Sequence, residues 1–225
     1  MKKITAWRTV GAALAFVALV GFSDMAIAEP TDAKGWSQLG TQQAKRGESD
    51  AAIASHQKAL KLYEAAGDKK GMADEYSFLG LVYKDRSDLA RAEEMHTKAL
   101  KLYEELRDGS MVASYVFLSV VYKDRGDLAR AVEVLVKAEK LVEGSGKKEL
   151  MATVYISLGA ASKMKGDMAI ACPALRKARA LYAELGEPQR GEEAADLMRR
   201  AECPTESTGV ATAEPTDAEG WRQLG

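Results

Sequence analysis

The sequence predicts an all-α protein, an α-solenoid of about four helix hairpins followed by a C-terminal capping helix. Three observations carry this prediction. One block recurs at shifts of 40, 39 and 40 residues, marked by Trp36, Tyr76, Tyr115 and Tyr155, and self-similarity at such a period is the signature of a repeat architecture. Within each block the apolar residues fall into two runs at helical spacing. Ala, Leu, Lys and Glu are abundant and β-branched runs are scarce, which favours helix throughout.

The first 28 residues stand apart from the fold. Lys2, Lys3 and Arg8 precede an uncharged apolar run from Val10 to Phe22, and Ala26-Ile27-Ala28 supplies a small-x-small cleavage site. This is the pattern of a secretory signal peptide, and the run falls short of the roughly 20 residues a membrane-spanning helix needs. The expected product begins at Glu29, without a lipid-bearing cysteine and without membrane insertion, in the periplasm or secreted from a Gram-negative-type bacterium. Removing Lys2, Lys3, Arg8 and Asp24 moves the net charge from −1 to about −3. No basic run or basic excess remains, which argues against nucleic acid as a partner.

Residues 29–203 hold the solenoid. The second block, Tyr76 to Ala92, and the third, Tyr115 to Ala131, share most of their residues, including Tyr83-Lys84-Asp85-Arg86 and Tyr122-Lys123-Asp124-Arg125. The first block (Trp36, Leu39, Gly40, Gly47, Ala52, Ala59) and the fourth (Tyr155, Leu158, Gly159, Gly166, Ala171, Ala178) keep the same skeleton. In the second block Tyr76, Leu79, Gly80 and Tyr83 occupy one helical face, and Ala92, Met95, His96, Ala99, Leu100 and Tyr103 another. Between them Gly47, Gly126 and Gly166 can take positive φ at a helix end, and Glu48, Asp127 and Asp167 follow where a cap is wanted. Ser87-Asp88 fills that place in the second block. Gly40, Gly80, Ser119 and Gly159 on the first helices, with Ala52, Ala92, Ala131 and Ala171 on the second, allow close helix approach.

Gly186-Glu187-Pro188 ends the fourth block and permits one more helix, 189–201, with Ala194, Leu197, Met198 and Ala201 on its packing face. Pro173 cannot donate to the carbonyl of Ala169 and is expected to kink or delay its helix. Residues 204–225 begin as a linker and then repeat Ala26–Gly40 as Ala211–Gly225, differing only at Thr212, Glu219 and Arg222. This is the start of an incomplete fifth repeat. It reads either as a docking tail that mimics the first helix and pairs with a neighbouring molecule, or as the truncated edge of a longer array.

The aromatic–Leu–Gly–Tyr first helix, the Gly-Asp turn and the Ala…Ala-Leu second helix resemble the tetratricopeptide repeat family over about residues 35–185. The period of about 40 is similar to a longer-helix subclass found in kinesin light chains, G-protein-signalling adaptors and bacterial peptide-sensing regulators. The resemblance implies a right-handed solenoid of TPR-like hairpins, non-enzymatic and without cofactor, that holds a protein or peptide partner on a concave face lined by first helices. Here that face comprises Ser77, Leu81 and Lys84, then Val116, Val120 and Lys123, then Ile156, Ala160 and Lys163. The set gives an apolar floor edged by lysines, suited to a peptide with apolar anchors and acidic side chains. The other reading is that the lysines simply keep the helices soluble.

Other candidate chemistry is thin. His56 and His96 occupy equivalent places in successive second helices, so packing explains them, and no cluster at metal-ligand spacing accompanies them. No phosphate-cradling loop, Ser/His/Asp order or CxxC is present. Cys172 and Cys203 lie at similar distances on either side of the turn at Glu187, level in an antiparallel hairpin. In an oxidising compartment they are expected to join and staple the capping helix; two free core thiols are the alternative. The expected function is an interaction scaffold in the bacterial envelope. The alternatives are a peptide-sensing regulator and a self-stacking structural protein.

Overall fold

The computed structural model describes residues 30–204. The expected signal peptide, residues 1–28, and the duplicated segment 211–225 lie outside the described residues. Within them the chain is all helix: α1 Ala33–Lys45, α2 Ser49–Ala66, α3 Lys69–Asp85, α4 Leu89–Leu106, α5 Met111–Asp124, α6 Leu128–Val142, α7 Lys148–Lys165, α8 Met168–Glu184 and α9 Pro188–Arg200. Each odd helix pairs with the even helix after it, each even helix also touches the next odd one, and the result is four stacked hairpins plus α9. The Cα atoms of successive first helices (α1/α3, α3/α5, α5/α7, α7/α9) come within 8 Å of one another, whereas no two second helices do so. The first helices therefore line the inner side of the curve.

Local chemistry sets the helix boundaries. Gly47, Gly126 and Gly166 close first helices with φ of 78°, 80° and 85°, the left-handed geometry that satisfies late carbonyls in a helix C-cap. The next helix then starts on an aspartate. The carboxylate of Asp88 accepts from Arg91 N at 3.1 Å, and Asp127 from Arg130 N at 3.0 Å. Those backbone bonds hold both carboxyls below their ordinary pKa. Glu48 makes no such cap bond, because its longer side chain fits the cap less well than Asp. At the turns between hairpins a second series of left-handed residues appears, Gly67, Arg107, Gly146 and Gly186. Pro173 neither delays nor interrupts α8, which starts at Met168 immediately after its Asp167 cap. Pro173 and Ala169 are both exposed, so water can satisfy the carbonyl that the proline leaves unpaired.

Packing inside a hairpin is a knob in a notch. At Gly40 an added Cβ would lie 2.8 Å from the His56 ring, at Gly80 2.6 Å from His96, and at Gly159 2.5 Å from Leu175. The glycine on α1, α3 and α7 thus receives a large side chain from one turn beyond the fully buried alanine (Ala52, Ala92, Ala171) of the second helix. Between hairpins, Phe78 stacks on His56 and Phe117 on His96, with ring centroids 5.3 and 5.2 Å apart. Surface lysines of second helices cover the repeating aromatics: Lys58 lies 3.8 Å from the Trp36 ring centre and Lys177 4.6 Å from that of Tyr155. Ion pairs of Arg86 with Asp50 and Arg125 with Glu93 link the second and third hairpins to the ones before them. The largest apolar cluster runs from Leu118 and Tyr122 through Leu135, Tyr155 and Leu158 to Tyr182 and Ala194, so α9 shares the core that the fourth hairpin would otherwise expose.

The C-terminal end is cross-linked. Cys172 and Cys203 form a disulfide with a Cα–Cα distance of 5.5 Å, joining α8 to the residues that follow α9. Arg176 Nη2 also donates to Pro204 O at 2.5 Å.

Candidate peptide-binding face

The inner surface follows from helix periodicity. On α3, α5 and α7 the residues that pack on the partner second helix leave one stripe per helix facing into the curve. Ser77, Leu81 and Lys84, Val116, Val120 and Lys123, and Ile156, Ala160 and Lys163 are all half-buried, as expected of a groove floor that is neither core nor free surface. Val116 and Ile156 also pack against the main core, so part of their apolar area is already used. Lys84 Nζ sits 2.9 Å from Asp85 Oδ1. Among the described residues no carboxylate lies within 4 Å of Lys123 or Lys163.

Four of these residues meet at one place. Val120, Lys123, Ile156 and Ala160 surround a concavity of about 180 Å³, closed on the far side by Glu193 and Leu197 of α9. Ser77, Leu81, Lys84, Val116 and Lys163 lie outside it. The contribution of α9 was not read from the sequence, where that helix served only as a cap. Setting it as a fifth first helix, 40 residues after α7, would have put Leu197 opposite Ser157 on the same side.

The buried histidines lie in the packing between helices. His56 Nδ1 is 2.8 Å from Glu75 Oε2, and both side chains are 1% exposed. His96 is fully buried and neither ring nitrogen has a partner; burial pushes its imidazole down to about 4. Glu75 was missed in the sequence, where glutamates read as solvated. Its equivalents Ser114 and Val154 are uncharged and buried, which is the signal that its position faces inward. Among the described residues no group of three or more His, Cys, Asp or Glu could hold a metal ion, and no helix is long and apolar enough to cross a membrane. A larger depression of about 520 Å³ lies between α8 and α9, around Arg176, Arg179, Met198 and Cys203. Its Arg199 is engaged by Glu192 and Asp196.

Comparison with known proteins agrees with this architecture. Residues 31–105 match the family described as tetratricopeptide repeat. No curated protein sequence matches the chain significantly. Among solved structures, BtubC (BKLC) from P. vanneervenii aligns with a TM-score of 0.62 at 23% identity, over 68% of this chain and 64% of that one. Aspartyl phosphate phosphatase F from Bacillus subtilis aligns at 0.70 and 13% identity, over 75% of this chain and 45% of that one. A signal transduction ATPase with numerous domains from Pyrococcus horikoshii, which carries a tetratricopeptide repeat sensor, aligns at 0.70 and 15% identity, over 77% and 28%. This chain therefore spans less than two thirds of each of those proteins, and at these identities the likeness is one of fold. Over its described residues the chain is a solenoid of tetratricopeptide-like hairpins, with the family match itself carried by residues 31–105.

Proposed function

We propose that this chain is a non-enzymatic interaction module of the bacterial envelope, holding a protein or peptide segment on the concave face formed by α3, α5 and α7. Tetratricopeptide repeats generally mediate protein–protein contacts, and the observation that carries the reading here is the inner stripe itself. Its apolar floor is half-buried and its edge bears Lys84, Lys123 and Lys163, two of which have no acidic partner. Such a surface suits an extended or helical segment with apolar anchors and carboxylates. The envelope setting is supported by the leader-like residues 1–28 and by a cysteine pair placed for a disulfide, a bond that persists in oxidising compartments. The period of about 40 supports assignment to the longer-helix subclass.

The test is partner capture by the mature chain from its own envelope extract. Lys84→Glu, Lys123→Glu and Lys163→Glu together should cut the yield at least fivefold while the helical circular dichroism is retained. Undiminished capture by the folded triple variant would reject the reading.

A second reading is a sensor whose solenoid tightens on a ligand, supported by the similarity to a protein with a tetratricopeptide repeat sensor. Compaction in solution scattering on adding the captured partner would favour it.

A further inference from the structure

Three first helices align residue by residue across the inner and inter-hairpin faces. Where α3 has Phe78, Leu81, Val82 and Tyr83, and α5 has Phe117, Val120, Val121 and Tyr122, α7 has Ser157, Ala160, Ala161 and Ser162. Bulk is removed at four places in one hairpin. In an ordinary core such losses would be refilled by neighbours, because protein interiors pack densely. At Ser157, Ala160 and Ala161 the space stays open as the concavity of about 180 Å³, while Ser162 is fully buried outside it; α9 contributes Leu197 at its edge and no aromatic ring to fill it.

More of the lining of this space is apolar than polar, although it includes two serines. Ser157 Oγ donates to Thr153 O at 2.8 Å, and Ser119 Oγ to Val116 O at 2.6 Å. Both hydroxyls are thereby turned onto their own helices, leaving Val120, Ile156, Ala160 and Leu197 as the contact surface. Lys123 and Glu193 stand at the rim, and neither forms an ion pair with the other or with any described residue.

We infer that this concavity is an anchor pocket for a single aliphatic side chain, leucine or isoleucine, of a bound segment that carries a carboxylate beside the anchor. The aliphatic group sits over Ser157 and Ala160, the small residues that stand where α3 has Phe78 and Leu81, the carboxylate meets Lys123, and Glu193 accepts from a backbone N–H of the segment. The inference rests on the concave-face reading and sharpens it to one place and one class of residue. It also gives α9 a second role, as a wall of the pocket.

The experiment titrates the mature chain with N-acetyl-Glu-Leu-amide and follows methyl NMR signals of Val120, Ile156, Ala160 and Leu197. Saturable shifts at these methyls are expected, at least fivefold weaker in affinity for N-acetyl-Glu-Ala-amide and for the Lys123→Glu variant. Ser157→Phe, which restores the residue of α3 and α5, should abolish them and raise the melting temperature; Ala160→Val serves the same purpose through the residue of α5. The absence of saturable shifts, or unchanged affinity in a folded Ser157→Phe or Ala160→Val protein, overturns the pocket and leaves a packing defect only. Partner capture that is lost with the three lysines yet survives Ser157→Phe would keep the concave-face reading while rejecting this one.

Discussion

His56 Nδ1 lies 2.8 Å from Glu75 Oε2 in the buried contact between the first two hairpins, while His96, its equivalent one repeat later, has no hydrogen-bond partner at either nitrogen. Position 75 is Glu, and its equivalent, Ser114, bonds its own helix at Ser110 O. The two histidines therefore do opposite things to stability. Both fill the notch over a glycine and both stack on a phenylalanine, but only one is satisfied.

Replacing His56 by Leu should destabilise the protein by about 3–5 kcal/mol, because it strands the Glu75 carboxyl in the core. Replacing His96 by Leu should stabilise it by about 1 kcal/mol, since it removes two unpaired buried nitrogens at the loss of one ring stack. Leu175 already packs over Gly159 in this manner. Urea unfolding midpoints of the two variants should move in opposite directions.

The pH dependence follows from the same site. Burial holds the folded His96 imidazole at about 4, while the unfolded value is near 6.5. Between those values the unfolded chain binds a proton that the folded chain refuses, so this histidine lowers stability as pH falls from about 6.5 toward 4. Above that window it contributes no slope. Thermal melts at pH 7 and pH 4.5 should differ less for His96→Leu than for the parent.

Two of the three described non-glycine residues at left-handed φ, the third being Glu202 after α9, stand where the repeat otherwise has glycine. Ser87 (φ 61°) stands where Gly47, Gly126 and Gly166 close the other first helices, and Arg107 (φ 51°) where Gly67 and Gly186 close second helices α2 and α8. Ser87→Gly and Arg107→Gly should each stabilise by roughly 0.5–1 kcal/mol. Denaturant melts with an unchanged slope would measure it.

The disulfide should matter most for α9. That helix buries only Ala194 and Ala195, too little apolar surface to fix it firmly. Reducing or removing the Cys172–Cys203 bond should lower stability by about 4 kcal/mol in the loop-entropy model. Amide exchange should quicken in α9 before α7 and α8. Two reactive thiols in the denatured, unreduced protein would show that the bond is not formed.

Much of the fold was legible because a repeat states the same rule several times. Gly80 and Gly159 could be assigned to close helix packing from their recurrence alone, although recurrence did not reveal that the facing groups are His96 and Leu175 rather than the alanines. The Asp127 and Asp167 caps were readable from turn chemistry. What departs from the repeat was harder to see. Glu75 looks like any surface glutamate, and its burial depends on the His56 ring from another hairpin. Ser157, Ala160 and Ala161 look like ordinary small residues until α9 is placed across from them, so the closed end of the concave face was not apparent. Lys84, Lys123 and Lys163 sit half-buried where periodicity put them.

The most direct measurement places a photoreactive benzoylphenylalanine at Val120 on the inner face and, separately, at the exposed Glu94 of α4, in the full chain within the cells that make it. Partner proteins cross-linked from Val120 and not from Glu94 are the result expected of a concave-face interaction module. Cross-links that form from Glu94 and not from Val120 would contradict it.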